Sequence, residues 1–461
     1  MTQGTVTPEA PFKQGFAKED LRATAATLAV LDRLLAGHGR RDFAVRLWNG
    51  TTIPADPGQE TRFTLVLNRP GALRRMLLPP NELALGEAYL DGDYDLEGDV
   101  QAAVRLGDLF EDLALGAGDL LGLARRVMAL PREAAQNGDQ GGAAARPGRQ
   151  RASLKGAEHS KERDREAIAY HYNLGNDFYG LFLDRRMIYS CAYFPTGQED
   201  LDAAQEAKLE YTCRKLRLRP GERLLDIGCG WGGLVMYAAE RFGVQALGIT
   251  LSQPQAELAN RKIAEAGLAD RCRATVLDYR DLAGHGAFDK IVSVGMVEHV
   301  GRQRLPEYFQ SAWSALRPGG LFLNHGITAA GKDKGSTSLR DRYLFQRGAF
   351  IRKYVFPDGE LVPVGDTLAI AERVGFEVRD VESLREHYAL TLRHWVRRLE
   401  AKEEEALRMV DERTYRVWRL YMAGCAHAFS AARVSVHQSL LAKPGPEGRS
   451  NLPLNRTDLY M

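Results

Sequence analysis

The stretch Leu224-Leu225-Asp226-Ile227-Gly228-Cys229-Gly230-Trp231-Gly232-Gly233 decides the fold. A short apolar strand runs into a cluster of glycines, and GLVMYAAERF (233–242) then continues with helical spacing. Glycine lets a backbone turn tightly and approach a ligand closely, at the carboxyl edge of a parallel sheet. Asp226 closes the strand, where a carboxylate can receive an ammonium group. A dinucleotide would instead place its pyrophosphate at this turn. The pattern therefore favours a cofactor that carries an amino acid, with a purely structural turn as the alternative.

Outward from this turn, VQALGIT (244–250), RATVLD (273–278), FDKIVSV (288–294) and GLFLNHGIT (320–328) read as buried strands with helical stretches between them. Alternation of this kind implies an α/β fold around a parallel sheet. Residues 391–440 read as strongly helical, and 446–461 as a C-terminal tail. On the other side, residues 19–37 have helical spacing, and FAVRLW (43–48) and TRFTLVLNRP (61–70) alternate like strands. ALRRMLL (72–78) and ELALGEAYLDGDYDLEGD (82–99) follow as helix and turn, giving a smaller α+β domain over 1–130. Residues 131–165 carry few large apolar side chains and read as a flexible linker. The catalytic domain is expected over 166–445.

The composition is that of a globular chain: 461 residues, 44% hydrophobic and 26% charged. Lys+Arg 62 against Asp+Glu 60 gives +2, so no overall charge points to nucleic acid. No apolar run approaches the roughly 18 residues of a spanning helix, and the polar N-terminus does not read as a signal peptide. Cysteines 191, 213, 229, 272 and 425 include no CxxC, no metal site is indicated, and free thiols in a reducing cytosol are expected.

The glycine turn resembles that of the class I S-adenosylmethionine (SAM) methyltransferases, a Rossmann-like fold. Most of these carry an acid after the second strand to hold the ribose. Here Thr250-Leu251-Ser252-Gln253-Pro254-Gln255 has none. That substitution, with YHYNLGNDFY (170–179), YSCAYF (189–194), DYRD (278–281), VGMVEHVG (294–301) and KYVFPDG (353–359), resembles the cyclopropane-fatty-acyl-phospholipid synthases and the related mycolic acid cyclopropane synthases. The resemblance spans residues 166–444, and the N-terminal domain resembles the bacterial phospholipid-acting branch more weakly. It implies SAM contacts at Tyr189, Ser190, Asp226, Gly228, Gly230, Trp231, Gly232, Thr250, Leu251, Ser252, Gln255, Asp278 and Tyr279. At Asp278 a carboxylate is expected to take the adenine amino group.

The family adds the SAM methyl group to a cis double bond and closes a three-membered ring. An alkene cannot be activated by deprotonation, so positioning must supply much of the acceleration. The carbocation that follows must lose a proton from the new methyl group, which calls for a base in a site with little water. By resemblance, Cys191, Glu298, His325, Ile327 (through its backbone) and Tyr388 hold a bicarbonate ion for that step. Taken as residues alone, Glu298 also reads as a helix-cap carboxylate, His325 as a satisfied buried histidine and Tyr388 as core. Cys425 is carried as a weaker catalytic candidate, since a buried, inert thiol suits its apolar helix better.

The basic, aromatic stretch Gly331–Val355 and an apolar helix near Leu113–Ala124 point to a phospholipid membrane surface as partner, rather than nucleic acid. A cytoplasmic protein peripheral to the membrane is expected, with homodimer contacts as the other role for the N-terminal domain. Two rivals remain: a fatty-acyl C-methyltransferase making a 10-methylene or 10-methyl branch, and a lipid-binding protein with a degenerate enzyme domain.

Overall fold

The computed structural model describes residues 18–36, 39–108, 117–132, 154–172, 174–283, 285–330, 348–450 and 452–459. The chain forms two compact units, Met1–Gln140 and Gly141–Met461.

In the first unit, the parallel strands β1 (Phe43–Leu47) and β3 (Phe63–Leu67) form the centre of a four-stranded sheet. Strand β2 (Thr52–Ile53) lies antiparallel on β1 and β4 (Tyr94–Gly98) antiparallel on β3, in the order β2-β1-β3-β4. Phe43 and Phe63 stack across the parallel pair at 4.9 Å. The segment expected to be a turn at 94–98 is thus a paired strand. Asp93, fully buried just before it, is neutralised by Arg69 and Arg75. The apolar helix expected over 113–124 runs instead over Ala117–Ala129, and residues 109–116 lie outside the described residues.

The second unit holds a seven-stranded sheet in the order β10-β11-β9-β8-β5-β6-β7. These strands are β5 (Arg223–Ile227), β6 (Gln245–Thr250), β7 (Cys272–Val276), β8 (Phe288–Val294), β9 (Leu316–Ala329), β10 (Glu377–Ser383) and β11 (Val434–Ala442). Five of them match the expected strands and pair in parallel. The remaining two correct the sequence reading. Part of the stretch read as helical, from Val434 onward, is β11, which lies antiparallel between β9 and β10. Its polar residues Gln438 and Ser439 are buried, so hydropathy alone disguises a central strand.

Apolar cores cover both faces of this sheet. One includes Leu209, Val235, Ala259 and Leu323; the other Leu225, Phe309, Phe322 and Ile370. Helix Leu201–Leu216 starts where the Asp200 side chain accepts from the Ala203 amide (2.8 Å) and stops at Arg217, which is left-handed at φ 50°.

Two expected boundaries also move. Residues 154–165 belong to the second unit, not to a free linker: Lys161–Tyr172 is a helix held by Arg163 to Asp358, Lys161 to Asp281 and Asp164 to Arg280. Residues 133–153 of the expected linker lie outside the described residues. The expected tail is anchored as well, by Asp458 to Arg217, Arg456 to Asp380 and the buried Leu459. Among the described residues, no helix is long and apolar enough to cross a membrane. All five cysteines are free thiols.

Candidate active site

The carboxyl ends of β5, β6 and β8 open onto a cavity covered by helix Lys161–Tyr172 and by Phe356-Pro357-Asp358-Gly359. Of the residues expected to bind SAM, Tyr189, Ser190, Asp226, Gly228, Gly230, Trp231, Thr250, Leu251, Gln255 and Tyr279 border it. Gly228 takes φ 85°, and a Cβ there would collide with the Met296 side chain. Gly232 and Ser252 do not border the cavity. They begin the helices at 233–242 and 253–265, and so fix the shape of the two turns.

At the end of β5, burial pushes the Asp226 carboxyl up to about 7, against the pull of Lys208. Lys208 also borders the cavity, is 1% exposed and donates to Ser190 Oγ at 3.1 Å. Burial brings its ammonium down to about 8, with Asp184, Cys191 and Asp226 opposing. A carboxylate and an ammonium thus face the same cavity, which suits the ammonium and carboxylate of an amino acid. The sequence reading missed Lys208. Its signal was a lysine among the apolar residues of helix 201–216, repeated seven residues later at Lys215 on the same helical face.

The ribose and adenine positions differ in outcome. Thr250 Oγ1 donates to Gln255 Oε1 at 2.9 Å, so a neutral pair occupies the strand end where an acid is usual. Asp278, expected to receive the adenine amino group, stands apart from the cavity-lining positions. Its carboxylate takes two hydrogen bonds from Arg280 (2.8 and 2.6 Å) and does not border the cavity, whereas Tyr279 and Arg280 do. Arg280 continues to Asp164 at 2.9 Å, tying this edge to the covering helix. His171, Tyr172 and His299 also border the cavity. Each lay inside a quoted motif without being singled out.

The proposed proton-handling residues form a second cluster at the β8 and β9 strands. Val294, at the end of β8, pairs with His325 on β9, and Gly295 donates its amide to the His325 carbonyl at 2.8 Å. Helix Val297–Val300 follows at once and places Glu298 against Gly326. A Cβ at Gly326 would strike Val297, so glycine is required for this approach. Burial pushes the Glu298 carboxyl up to about 7, opposed by the backbones of Glu298 itself and of Ile327. Among the described residues, Glu298 Oε2 and His325 Nε2 are buried with no hydrogen-bond partner. Tyr388, also buried, lies within electrostatic reach of Glu298 and near Cys191.

The surroundings are aromatic. Tyr189 stacks on Trp395 at 5.0 Å and shares a hydrogen bond with Tyr421 (3.2 Å); His171 stacks on Phe356 at 4.2 Å. Cys191 is 1% exposed, its thiol turned to the carbonyls of Ala192 and Leu384, and burial holds it far above its ordinary range. That thiol is no nucleophile. Cys425 is half-buried on helix Glu412–Ser430, near Tyr189, Tyr388 and Tyr421. The alkene methylation that the resemblance implies has no step for a thiolate, so Cys425→Ser is expected to keep most of the wild-type turnover. A drop beyond about 100-fold in the folded variant, some 2.7 kcal/mol of transition-state stabilisation, would contradict this.

Comparison with known proteins agrees with this geometry. The family model of mycolic acid cyclopropane synthetase matches residues 159–439. The chain belongs to this family. The match to the synthetase family begins in the covering helix's own approach, in accord with residues 154–165 being part of the second unit. A second model, of a domain of unknown function, matches residues 30–107. A probable fatty acid methyltransferase from Pseudomonas putida is 41% identical over 416 residues, covering 90% of this chain and 95% of that one. The cyclopropane-fatty-acyl-phospholipid synthase of Escherichia coli is 38% identical over 278 residues, 59% of this chain and 66% of the relative. The solved cyclopropane synthase MmaA2 from Mycobacterium tuberculosis is 33% identical with a TM-score of 0.56, covering 60% of this chain and 97% of that one. The synthetase family thus accounts for the seven-stranded unit, and its α/β fold is that of a methyltransferase.

Proposed function

We propose that the chain transfers a one-carbon unit from S-adenosylmethionine to the cis double bond of unsaturated acyl chains of membrane phospholipids, closing a cyclopropane ring. The observation that carries this reading is that Glu298 Oε2 and His325 Nε2 are each buried without a partner, Glu298 standing in the chain between Met296 and His299, which border a cavity suited to an amino-acid-bearing cofactor.

S-Adenosylmethionine supplies, when bound, a methyl group on an electron-poor sulfonium. Asp226 and Lys208 hold the charged end of the cofactor, and the glycine turn admits it closely. The aromatic walls exclude water, which would otherwise trap a carbocation. Glu298, ionised above about pH 7, provides a negative group to draw off the proton released by the new methyl. The two unpartnered atoms also suit a small group that both accepts a hydrogen bond and donates one, as the oxygen and hydroxyl of bicarbonate do. Bicarbonate would supply a further proton acceptor there, held by Cys191, Glu298, His325, Tyr388 and the backbone of Ile327.

A second reading shares every step up to the carbocation. The relative matched over almost the whole chain is named a probable fatty acid methyltransferase, and a hydride shift before proton loss gives a methylene branch in place of a ring. Lipids from cells expressing the protein decide between them. Both products gain one CH2 unit, but only the methylene branch takes up hydrogen under mild hydrogenation. Unchanged acyl masses in the presence of active, SAM-bound protein would reject both.

For substrate delivery, we assign the first unit to the phospholipid surface, on the cytoplasmic side. Helix Ala117–Ala129 exposes Leu121 (53%) and Met128 (51%) beside the exposed Arg125 and Arg126, a mixture suited to an anionic lipid interface. The basic stretch 331–347 lies outside the described residues. Protein lacking residues 1–140 retains SAM affinity, sediments less with anionic vesicles and modifies vesicle lipid more slowly. Equal sedimentation would remove this role from the first unit and leave homodimer contacts as its alternative.

A further inference from the structure

Glu382 on β10, Gln438 on β11 and His325 on β9 are direct cross-strand partners in one row across the sheet. Helix Leu201–Leu216 lays Lys215 over that row. The Lys215 ammonium, 1% exposed, pairs with Glu382 and donates to Gln438 Oε1 at 2.8 Å. Asp380 lies 3.8 Å from the same nitrogen, and the ring of Tyr211 is 4.4 Å below it. Gln438, also 1% exposed, turns its other amide atom to His325 Nδ1 at 3.3 Å. This row lies beyond the cavity, and the reaction chemistry has so far left it without a task.

Chemistry fixes the direction of each bond. A lysine ammonium only donates, so the atom of Gln438 that faces it is the carbonyl oxygen. The amide NH2 must then face His325, and Nδ1 must accept. A neutral imidazole that accepts at Nδ1 carries its proton at Nε2. Nε2 is the buried atom with no partner at the site. Burial and the nearby Lys208 and Lys215 keep the ring neutral.

We infer that Lys215 and Gln438 are positioning residues that lock His325 in its Nε2–H tautomer, so that it offers a hydrogen-bond donor to the reaction site. The inference rests on the function proposed above for its catalytic consequence. His325 is then not the base. It orients an acceptor, and Glu298 is left as the protein group able to take negative charge. Outer partners of this kind typically change activity by roughly 10- to 100-fold when removed.

The test uses the full chain with 15N-labelled histidine, the His325 signals being assigned by their loss in His325→Gln. The wild type shows a neutral ring with Nε2 protonated and Nδ1 bare. In Gln438→Glu, a carboxylate still satisfies Lys215 but presents only an acceptor to His325. The proton then moves to Nδ1, or the ring becomes doubly protonated. One-carbon transfer to unsaturated lipid falls roughly 10- to 100-fold in kcat, with SAM affinity unchanged. Lys215→Met, which frees the amide to flip, gives a mixture of tautomers and a smaller loss, and Lys215→Arg restores one tautomer and most of the rate. A wild-type ring protonated at Nδ1, or an Nε2–H ring surviving in Gln438→Glu, would overturn the inference. Wild-type protein that modifies no unsaturated lipid would sink the proposed function instead, while the spectra still decide what sets the tautomer.

Discussion

Glu298→Gln binds SAM as the wild type does and loses roughly 100- to 10 000-fold in product formation, the range for removal of a positioned acid–base group. The substitution preserves shape but removes the charge. Glu298 does not border the cofactor cavity, so affinity for SAM by calorimetry has no reason to change. Stability moves the other way. The folded carboxyl titrates at about 7 because it is buried, well above its unfolded value. A raised carboxyl makes the folded state bind more protons than the unfolded one, so its ionisation costs stability as pH rises from about 4 to 7. At pH 8 that cost is on the order of 3 kcal/mol, and glutamine avoids it. Glu298→Gln therefore melts higher than the wild type at pH 8 and loses that advantage near pH 4. For the wild type, kcat at saturating SAM rises with pH through about 7. A variant that is inactive and also fails to bind SAM would mean that Glu298 supports the cavity rather than the reaction.

Asp226→Ala weakens SAM binding by about 100-fold or more, because truncating one partner of a buried charge pair costs several kcal/mol. The same residue gives the wild-type affinity a pH dependence. Unliganded Asp226 titrates at about 7 and must be ionised to receive an ammonium group. Affinity therefore falls as pH drops below about 7, approaching tenfold per unit for a single linked proton. Lys208, at about 8, stays charged throughout that range. Calorimetry between about pH 5.5 and 7.5 should show this slope in the wild type and in Glu298→Gln, and lose it in Asp226→Asn. Wild-type affinity in Asp226→Ala would place the cofactor's charged end elsewhere.

Much of this protein is legible in its sequence because local rules suffice. A strand, a glycine cluster and a helix in succession leave the backbone few alternatives to a tight turn at a sheet edge. Asp226, Gly228, Gly230 and Thr250 border the cavity for that reason. The apolar runs of β5, β6, β7, β8 and β9 announce themselves because both faces of a parallel sheet are covered. Where local rules stop, errors follow. Strands β1 and β3 alternate in sequence, but nothing in the alternation says that they pair in parallel. Strand β11 hides the buried Gln438, which is acceptable because Lys215 and His325 bond its amide. Helix Lys161–Tyr172 has an unremarkable polar sequence, and its ion pairs with Asp281, Asp358 and Arg280 make it a wall of the cavity. Asp278 is a typical adenine acceptor by position, and only the folded chain shows Arg280, two residues on, bonded to its carboxylate.

By itself, then, the sequence determined the α/β unit, the glycine turn and the motif residues of a one-carbon transfer site. Only the tertiary structure decided which charges are spent on one another and which remain free to act. Glu298 and His325 are 27 positions apart in sequence, and they come to the same end of the sheet because β8 and β9 are paired. Lys208 becomes a cavity residue, and Lys215 the end of a row reaching His325, because their helix lies on the sheet. Hydrogen bonds and burial act through space over a few ångströms, whereas sequence periodicity reports only which side of its own element a residue occupies.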